Sequence, residues 1–408
     1  MRLLVACVLL RTARGAHAGC RSCAAGVSTA DYRVRRHCGP LWRSIANRTQ
    51  ASARTLVLLP VSGLGDMAHA FVTAAHIAVR HSLQLKLLNH RKFNGVGSYL
   101  RHASAGGANL IMNASDLPVP LVAVTNASQR SWNRGPPFLH LAPGVAYVNL
   151  VNSGMRWEGT PKETLQGILR NTPYILLFAG NADIYALRAT GLFDWHEQGL
   201  LQDEAQSKEY DHCVLRYAMN VKPRITLPPR SSDVLIGIHI RSVRFLRDLG
   251  DQARSKTNAS QSQIYDDNYA LDVNWAIEDF ESFAADARKL EEPGRSAKWF
   301  VLSDSPSLLA LLRHAWRDRV IDWDSRPAHV ANRSPGLDLS SQYRDWLMLS
   351  ACDHIVCSGS QYSTSARQYS GTVQSVFSHV HAYGGSSGHP ASRTQIVVVD
   401  GPADGRGV

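Results

Sequence analysis

One apolar run of the sequence delivers a histidine and an arginine at its carboxyl end. The run extends from Val234 to Ile240, with His239 inside it and Arg241 directly after it. Such a run is typical of a strand covered on both faces of a sheet, and ligands of open α/β sheets bind beyond the carboxyl ends of strands. There a guanidinium can hold a phosphate or a carboxylate through two hydrogen bonds. Arg241 is therefore a candidate anion-binding residue, and a surface ion pair that closes the strand is the alternative interpretation.

Two later segments also place polar groups at strand ends. A short apolar strand stops at Asp304 and Ser305, then turns through Pro306 into an amphipathic helix that reaches about Trp316. The second segment predicts a helix, a buried strand at 355–357, a hydroxyl-rich turn and a new helix. A turn of serine and glycine that opens a helix offers free backbone N–H groups and the positive end of the helix dipole to a phosphate.

The ordered set of segments resembles the fucosyltransferases that include the α-1,2, α-1,6 and plant xyloglucan families. Their first motif centres on His-x-Arg, which His239 and Arg241 match, and their second is an apolar strand ending in Ser/Thr-Asp-Ser, matched at 303–305. The third is a Leu-Leu-Ser-x-Cys-Asp helix followed by a serine-rich turn. Gln361 replaces one serine of that turn, and the residues that follow its pattern are Ser358, Ser360, Tyr362, Ser363 and Ala366. The resemblance covers roughly the last 180 residues.

The resemblance implies a role for each matched residue. Arg241 would stabilise the departing diphosphate through its β-phosphate, and Asp304 would accept hydrogen bonds from the guanine or the ribose. His329, four residues before Arg333-Ser334, is similar to a histidine that precedes an Arg-Ser pair in some of these families. The pyrophosphate would be held by Ser360, Gln361 and Ser363. The expected donor-binding residues are His239, Arg241, Asp304, Ser305, His329, Ser360, Gln361, Tyr362 and Ser363.

A fourth match lies near the amino end. The predicted strand Thr55–Leu59 precedes Ser62-Gly-Leu-Gly-Asp66 and a helix with one apolar face. Gly63 and Gly65 suit a tight turn with close backbone approach, and this group of fucosyltransferases has a similar Gly-x-Gly-Asn segment that shapes the cleft between domains. Asp66 departs from the usual asparagine. An ordinary strand-to-helix turn is the alternative interpretation.

The catalytic base is where the resemblance is least informative. In the α-1,6 family a glutamate lies about ten residues after the histidine of the motif, whereas this chain has Leu249 there, flanked by Asp248 and Asp251. A base must come within hydrogen-bond reach of the acceptor hydroxyl, directly or through one water. Asp248 is the first candidate and Asp66 the second, with a structural ion pair as the alternative for each. The predicted catalytic residues are Arg241, Asp248 and Asp66.

Asp322-Trp-Asp324 has the spacing by which many glycosyltransferases hold a divalent cation. The pair follows a short predicted strand, 320–321. Short motifs are frequent by chance, and the family that the chain resembles works without metal. We therefore interpret the two aspartates as structural and expect no metal and no other cofactor.

Composition narrows the classes of partner. The chain has 408 residues, 44% hydrophobic content and a formal charge of +11, and its length suits two α/β domains. A basic chain could bind nucleic acid, but the sequence contains no helix-turn-helix signature, zinc-finger spacing or RNA-stacking motif. An anionic nucleotide sugar requires only a few of the dispersed basic residues. The expected partners are GDP-fucose and a glycan or glycoprotein acceptor, without nucleic acid.

Features of the amino end favour the secretory pathway, in the ER or Golgi lumen. Residues 1–18 resemble a signal peptide with an eight-residue apolar core and a small-x-small site at Ala16-His-Ala18; a disordered N-terminus is the alternative. The core is too short to span a membrane, and no later run reaches that length. Five glycosylation sequons support this location, at Asn47, Asn113, Asn126, Asn258 and Asn332.

The cysteines fit the same compartment. Removal of Cys7 with the leader leaves six, an even number that suits disulfides in an oxidising lumen. Cys20 and Cys23 form a Cys-x-x-Cys pair, but no second metal pair completes a zinc site, so we interpret them as structural. Cys352 and Cys357 flank a predicted buried strand and could equally be free core thiols.

The motifs and the proline-rich boundary divide the chain into four parts. A leader at 1–18 and a stem-like segment at 19–50 precede an N-terminal, acceptor-side domain at 51–225 and a C-terminal, GDP-sugar-binding domain at 226–408. Closely spaced prolines between Pro223 and Pro229 set the boundary. The resemblance implies an α/β protein of the GT-B architecture, in which two Rossmann-like domains face each other across a cleft.

The same resemblance implies the reaction. It is the inverting, metal-independent transfer of fucose from GDP-fucose to a glycan or protein hydroxyl. Two other classes stay open. One is a GT-B transferase that uses a different nucleotide sugar, because a fold and a phosphate grip do not select the sugar. The other is a catalytically silent luminal protein that binds nucleotide sugars.

Overall fold

Two parallel-rich sheets organise this computed structural model. The described residues are 38–39, 53–59, 63–90, 110–132, 136–151, 157, 159–179, 211–216, 233–242, 275–324, 340–358, 360–370, 375–378, 380–381 and 394–395. The chain forms two units, Met1–Pro40 and Leu41–Val408. Residues 38 and 39 of the first unit are helical, and both sheets belong to the second unit.

The first sheet has six strands in the order β3-β2-β1-β6-β5-β4, all parallel except for the antiparallel pair β4 and β5. Its strands are β1 (Thr55–Leu59), β2 (Gln84–Asn89), β3 (Ile111–Asn113), β4 (Phe138–Ala142), β5 (Val145–Asn149) and β6 (Tyr174–Phe178). Three helices belong to this part of the chain: α1 (Leu64–Arg80), α2 (Leu121–Trp132) and α3 (Lys162–Asn171). A short 3-10 helix, Ala114–Asp116, follows β3.

Central position explains the composition of these strands. In β1, the four residues from Leu56 to Leu59 are fully buried, because β1 pairs with β2 on one side and β6 on the other. Such strands read as continuous apolar runs rather than alternating ones. The predicted strand Thr55–Leu59 is confirmed.

The second sheet has four parallel strands in the order β10-β9-β7-β8. They are β7 (Val234–Ile240), β8 (Ala297–Ser303), β9 (His354–Cys357) and β10 (Ser375–Ser378). The helices of this part are α5 (Glu281–Lys289), α6 (Pro306–Ala315), α7 (Ser340–Ser350) and α8 (Gln361–Ser370), and α4 (211–216) lies between the two groups in the sequence. A two-stranded antiparallel ladder pairs β11 (Val380–His381) with β12 (Thr394–Gln395).

The central strand β7 determines how closely a helix packs on the second sheet. A Cβ at Gly237 would lie 2.5 Å from Leu349 Cδ1 and 3.1 Å from Cys352 Sγ. Leu349 of α7 and Cys352, just after α7, therefore pack directly on β7, and a larger residue at 237 would force these side chains to move. The apolar run 234–240 is a strand, as predicted, and it lies between β8 and β9.

The crossover segment before β8 belongs to the core. It begins with a 3-10 helix, Ile277–Phe280, which is followed by α5. Phe280 and Ala284 are buried in one cluster with Trp299 and the inner side chains of β7. The domain boundary predicted near 225 lies outside the described residues.

In the part of the chain that the structure describes, no helix has both the length and the apolar composition needed to cross a membrane.

Candidate functional site

Three sequence motifs meet at one edge of the second sheet. Strand β7 lies between β8 and β9, and the parallel register places His239 beside Leu302 on one side and Cys357 on the other. The carboxyl ends of all three strands therefore share an edge. The three strands end at Ile240, Ser303 and Cys357, far apart in the sequence, and only the sheet order brings these ends together.

Hydrogen bonds fix the backbone where Arg241 leaves the strand. Ser358 N donates to the carbonyl of His239 at 3.1 Å, and Arg241 N donates to Ser358 Oγ at 2.8 Å. Ser358 is 3% exposed, so its hydroxyl acts inside the protein. The serine of the third motif thus holds the arginine of the first, and the half-buried Arg241 side chain starts from an ordered backbone position.

Asp304, just after β8, forms hydrogen bonds with the segment that follows β7. Its Oδ1 accepts hydrogen bonds from both the backbone N–H and the hydroxyl of Ser242, each at 2.7 Å. No donor of the described residues reaches Oδ2. Ser242 was missed by the sequence analysis, although a hydroxyl directly after the His-x-Arg motif was the available signal. A hydrogen bond from a guanine or a ribose would fall to Oδ2.

Ser305 has a structural function at the start of α6. Its Oγ accepts from Leu308 N at 3.3 Å and lies 3.0 Å from Ser307 Oγ. This is the arrangement of a helix N-cap, reinforced here by Pro306 at the first helical position. Ser305 is 4% exposed. Its hydroxyl is used by the helix, and direct contact with a donor stays a prediction.

The serine-rich turn shapes the start of α8. Ser360 Oγ accepts from Tyr362 N at 3.2 Å, and the Ser360 carbonyl accepts from Ser363 Oγ at 2.9 Å and from Thr364 N at 3.0 Å. Ser360 and Ser363 are buried, whereas Gln361 is half-buried. The two hydroxyls therefore order the turn from inside. Contacts with a bound anion would come from the backbone N–H groups of the first turn and from Gln361.

His239 and Tyr362 form a neutral wall beside this turn. Their ring centroids are 5.1 Å apart. The pKa of His239 is lowered to about 4, mainly by burial; Asp304 opposes this shift and Arg241 adds a smaller contribution to it. Burial likewise raises the pKa of Tyr362 well above its usual value, and the Tyr362 hydroxyl donates to the Gln342 carbonyl at 2.6 Å. At neutral pH both rings are uncharged, so His239 is an imidazole and not a cation, and its contact with a donor stays a prediction.

The first turns of α1 and α8 touch each other. A Cβ at Gly65 would lie 2.6 Å from the carbonyl oxygen of Gln361 and closer still to Tyr362 N. Gly63 has nothing within 4 Å of such an atom and an extended backbone, with φ at −74°. Only the second glycine is thus sterically required, and the reason is a contact between helices rather than a turn conformation. Asp66, half-buried, follows Gly65 in this first turn.

The meeting of the two helix starts has an electrostatic consequence. Each helix carries a partial positive charge at its amino end, where backbone N–H groups lack partners within the helix. Helix α1 comes from the first sheet and α8 from the second, and α1 packs against α8. Their amino ends and Arg241 offer positive potential to an anion at the strand-end edge.

The predicted Asp-x-Asp pair frames an inward tryptophan. Trp323 Nε1 donates to Asp345 Oδ1 at 2.7 Å, and its ring lies edge-on to Phe300 with centroids 5.8 Å apart. Asp322 and Asp324 are both exposed. No three His, Cys, Asp or Glu side chains of the described residues come together as metal ligands. Packing of Trp323 explains why exposed and less exposed side chains alternate in this segment. The expectation of metal independence stays a prediction.

The cysteines have two states in the described residues. Cys38 and Cys213 each take part in a disulfide bond, whereas Cys352 and Cys357 are buried free thiols. The alternative of free core thiols is therefore the correct one for the pair that flanks β9. The candidates Asp248, Asp251 and His329 lie outside the described residues.

Comparison with known proteins gives structural neighbours but no sequence relatives. No protein-family model and no curated protein matches the chain. The fold is similar to NodZ α-1,6-fucosyltransferase soaked with GDP-fucose, with 14% identity, a TM-score of 0.47 and coverage of 86% of this chain and 100% of NodZ. For NodZ from Bradyrhizobium, the identity is 14%, the TM-score 0.43 and the coverage 86% and 99%.

A plant enzyme gives a similar result. A mutant of Arabidopsis thaliana FUT1 in complex with GDP has 13% identity and a TM-score of 0.48, over 85% of this chain and 77% of its own.

Proposed function

We propose that the chain is a fucosyltransferase of the GT-B architecture, which moves fucose from GDP-fucose to a glycan or protein hydroxyl with inversion and without metal. One observation carries the proposal. The three segments that resemble fucosyltransferase motifs, far apart in sequence, end side by side at the edge of β8, β7 and β9. The amino ends of α1 and α8 lie in contact next to this edge. The arrangement supplies donors and positive potential to a diphosphate.

The chemistry assigns distinct tasks to these groups. The barrier to transfer lies in the departure of GDP while positive charge builds on the anomeric carbon. Arg241 donates to the β-phosphate and stabilises its growing charge, and the helix starts do the same through their N–H groups. Because these donors are held in place before reaction, they cost little reorganisation in the transition state. His239 binds as a neutral group, and Asp304 Oδ2 accepts from the guanosine portion.

The remaining assignments complete the proposed donor site. Gln361 faces the pyrophosphate, while Ser305, Ser360, Tyr362 and Ser363 hold the walls in shape. His329 contributes from the segment after the Asp-x-Asp pair. Asp248 or Asp66 takes the proton of the acceptor hydroxyl. Asp66 has support from its position, since it belongs to the first turn of α1 that contacts α8.

Two alternatives share the same phosphate grip. A transferase for another nucleotide sugar differs only in the groups that contact the base and the sugar, and a silent binding protein differs in turnover. Calorimetric titration with GDP, UDP and CMP, followed by hydrolysis assays with GDP-fucose, GDP-mannose, UDP-sugars and a CMP-sugar, separates them. We expect binding of GDP and selective turnover of GDP-fucose. Preference for UDP or CMP contradicts the donor assignment, and binding of GDP-fucose without turnover indicates a silent protein.

Metal independence has its own test. Treatment with EDTA is expected to leave transfer intact, because Arg241 and the helix starts supply the positive charge. Loss of activity with EDTA and its recovery with manganese would instead assign Asp322 and Asp324 to a metal site.

We also infer a luminal location in the ER or Golgi. Support comes from the disulfide-bonded Cys38 and Cys213 and from two sequons whose asparagines, Asn113 and Asn126, are exposed. Protein secreted from a eukaryotic host should lose mass on treatment with an N-glycosidase, and Asn126→Gln should remove one glycan. An unmodified secreted chain would contradict this inference.

A further inference from the structure

The short helix α4 contacts both of the helices whose first turns meet at the site. Three of its residues are involved: Asp211 contacts α1, and His212 and Arg216 contact the last turn of α8. Helix α4 is itself anchored, because residues 213–215 are buried and Cys213 takes part in a disulfide. The helix thus joins α1 to α8 at a second place.

The contact with α1 lies far from the site. Asp211 Oδ1 is 2.8 Å from His76 Nε2, and both side chains are buried. A carboxylate can only accept, so the imidazole donates its Nε2 proton. His76 lies roughly 17 Å along α1 from Gly65, at 1.5 Å for each residue. The connection therefore contacts α1 near the end opposite to the first turn that it shares with α8.

The contact with α8 uses the carbonyls that end the helix. Arg216 Nε donates to the Tyr369 carbonyl at 2.9 Å, and its guanidinium carbon lies 4.0 Å from the centroid of the Tyr369 ring. His212 Nδ1 lies 2.9 Å from the same carbonyl, so this nitrogen carries the proton. Carbonyls of the last turn have no partner within the helix, and a cation there stabilises the helix dipole.

We propose that Arg216 is a positioning residue for donor binding, which acts through α8; this inference rests on the proposed function. Helices α1 and α8 pack against each other, and their first turns meet at Gly65. A second connection, through α4 at their far ends, restricts the movement of α8 relative to α1 and helps to fix where the N–H groups of the α8 first turn point. The Arg216 guanidinium makes this connection by hydrogen bonding and by stacking on Tyr369, some 12 Å along α8 from its first turn.

A matched pair of arginines tests the proposal. Arg216→Ala removes the hydrogen bond and the stacking of the guanidinium and leaves the contact of His212 with the same carbonyl, whereas Arg216→Lys retains the charge but not the planar stack. Arg319→Ala is the control, because Arg319 also lies over an aromatic ring, 5.2 Å from the centroid of Trp299, and also bonds to a polar partner, Glu291. Arg319 lies in the turn after α6, and it contacts Trp299 of β8 and Glu291 rather than α8.

The readouts separate positioning from stability. Thermal melting measures the folded fraction, calorimetry the Kd for GDP, and initial rates the KM and kcat for GDP-fucose. Arg216→Ala should raise the GDP Kd and the donor KM by roughly tenfold, within the range for residues coupled to a distant site, with kcat changed less. Arg216→Lys should recover part of the affinity. Unchanged GDP affinity in a folded Arg216→Ala variant, or an equal loss in Arg319→Ala, overturns the proposal.

Hydrogen exchange of the α8 first turn distinguishes this inference from the proposed function. The amides of residues 361–364 should exchange faster in Arg216→Ala than in the wild type, and no faster in Arg319→Ala. If the wild type does not bind GDP, the proposed function is wrong, and the exchange rates alone then test whether Arg216 positions α8. Equal rates in the wild type and Arg216→Ala overturn it.

Discussion

Replacement of Gly65 by alanine should disrupt donor binding by separating two helices. The added Cβ would lie 2.6 Å from the Gln361 carbonyl oxygen and nearer to Tyr362 N, whereas ordinary contact begins at 3.4 Å. Both atoms belong to backbone, so no side chain can rotate away. One helix start must move by about 1 Å, and a displacement of that size can cost about a hundredfold in rate. Overpacking of this kind also typically costs about 1–3 kcal/mol of stability.

Gly63 provides the matched control two residues earlier. A Cβ there meets nothing within 4 Å, and the backbone is extended, so Gly63→Ala should cost less than about 1 kcal/mol as a poorer N-cap residue. Calorimetry with GDP and steady-state rates with GDP-fucose measure binding and turnover, and thermal melting measures stability. Gly65→Ala should lower kcat/KM by about two orders of magnitude, with Gly63→Ala near the wild type. If Gly65→Ala retains wild-type GDP affinity and turnover, the contact of the two helix starts has no role in the site.

Three further predictions concern charge. Arg241→Lys should stay folded but lose about 2–4 kcal/mol of transition-state stabilisation, because an ammonium lacks the two-pronged contact; a near-wild-type rate would contradict its role. The pKa of His239 and of His81 is about 4 in the folded protein and 6.5 when unfolded. Between these values the unfolded chain binds more protons, so the free energy of unfolding is highest above pH 6.5 and falls by on the order of a few kcal/mol towards pH 4. Urea midpoints at both pH values check this, and His81→Gln should reduce the loss. The catalytic base is tested with Asp66→Asn, Asp248→Asn and Asp251→Asn. The variant that lacks the base should lose about a hundredfold in turnover and retain GDP binding. If all three variants stay active, proton transfer through water is the better account.

The strands of the site could be predicted from the sequence because they are central and parallel. A strand covered on both faces has a continuous apolar run, and the site residue stands where that run ends. This is why the apolar run before Arg241 was predicted to be a strand and why Arg241 and Asp304 were found at strand ends. Their neighbours were less predictable. Ser242 and Ser358 act through hydrogen bonds to residues of other motifs, and such partners depend on strand order, which the sequence does not state.

The glycines illustrate a second limit. A Gly-x-Gly between a strand and a helix predicts a special backbone conformation, yet neither glycine has a positive φ in the structure. Gly65 is required because another helix, almost three hundred residues later, passes against it. Helix α4 was missed for the same reason, since Asp211 and Arg216 look like ordinary surface charges until α1 and α8 are placed beside them.

A site that holds a diphosphate without metal must obtain its positive potential from the protein alone. Formal charges are costly to bury next to each other, and a protonated His239 beside Arg241 would place two cations in a region of low dielectric. Burial is the main cause that lowers the pKa of His239, and Arg241 contributes less, so His239 stays neutral beside Arg241. Helix starts add positive potential without a second formal charge, because the negative end of each helix dipole lies far from the site. At α8 the negative end is in turn covered by Arg216. Arg216 thus lies at the far end of α8, where its charge stabilises the same helix dipole without placing a second cation beside Arg241.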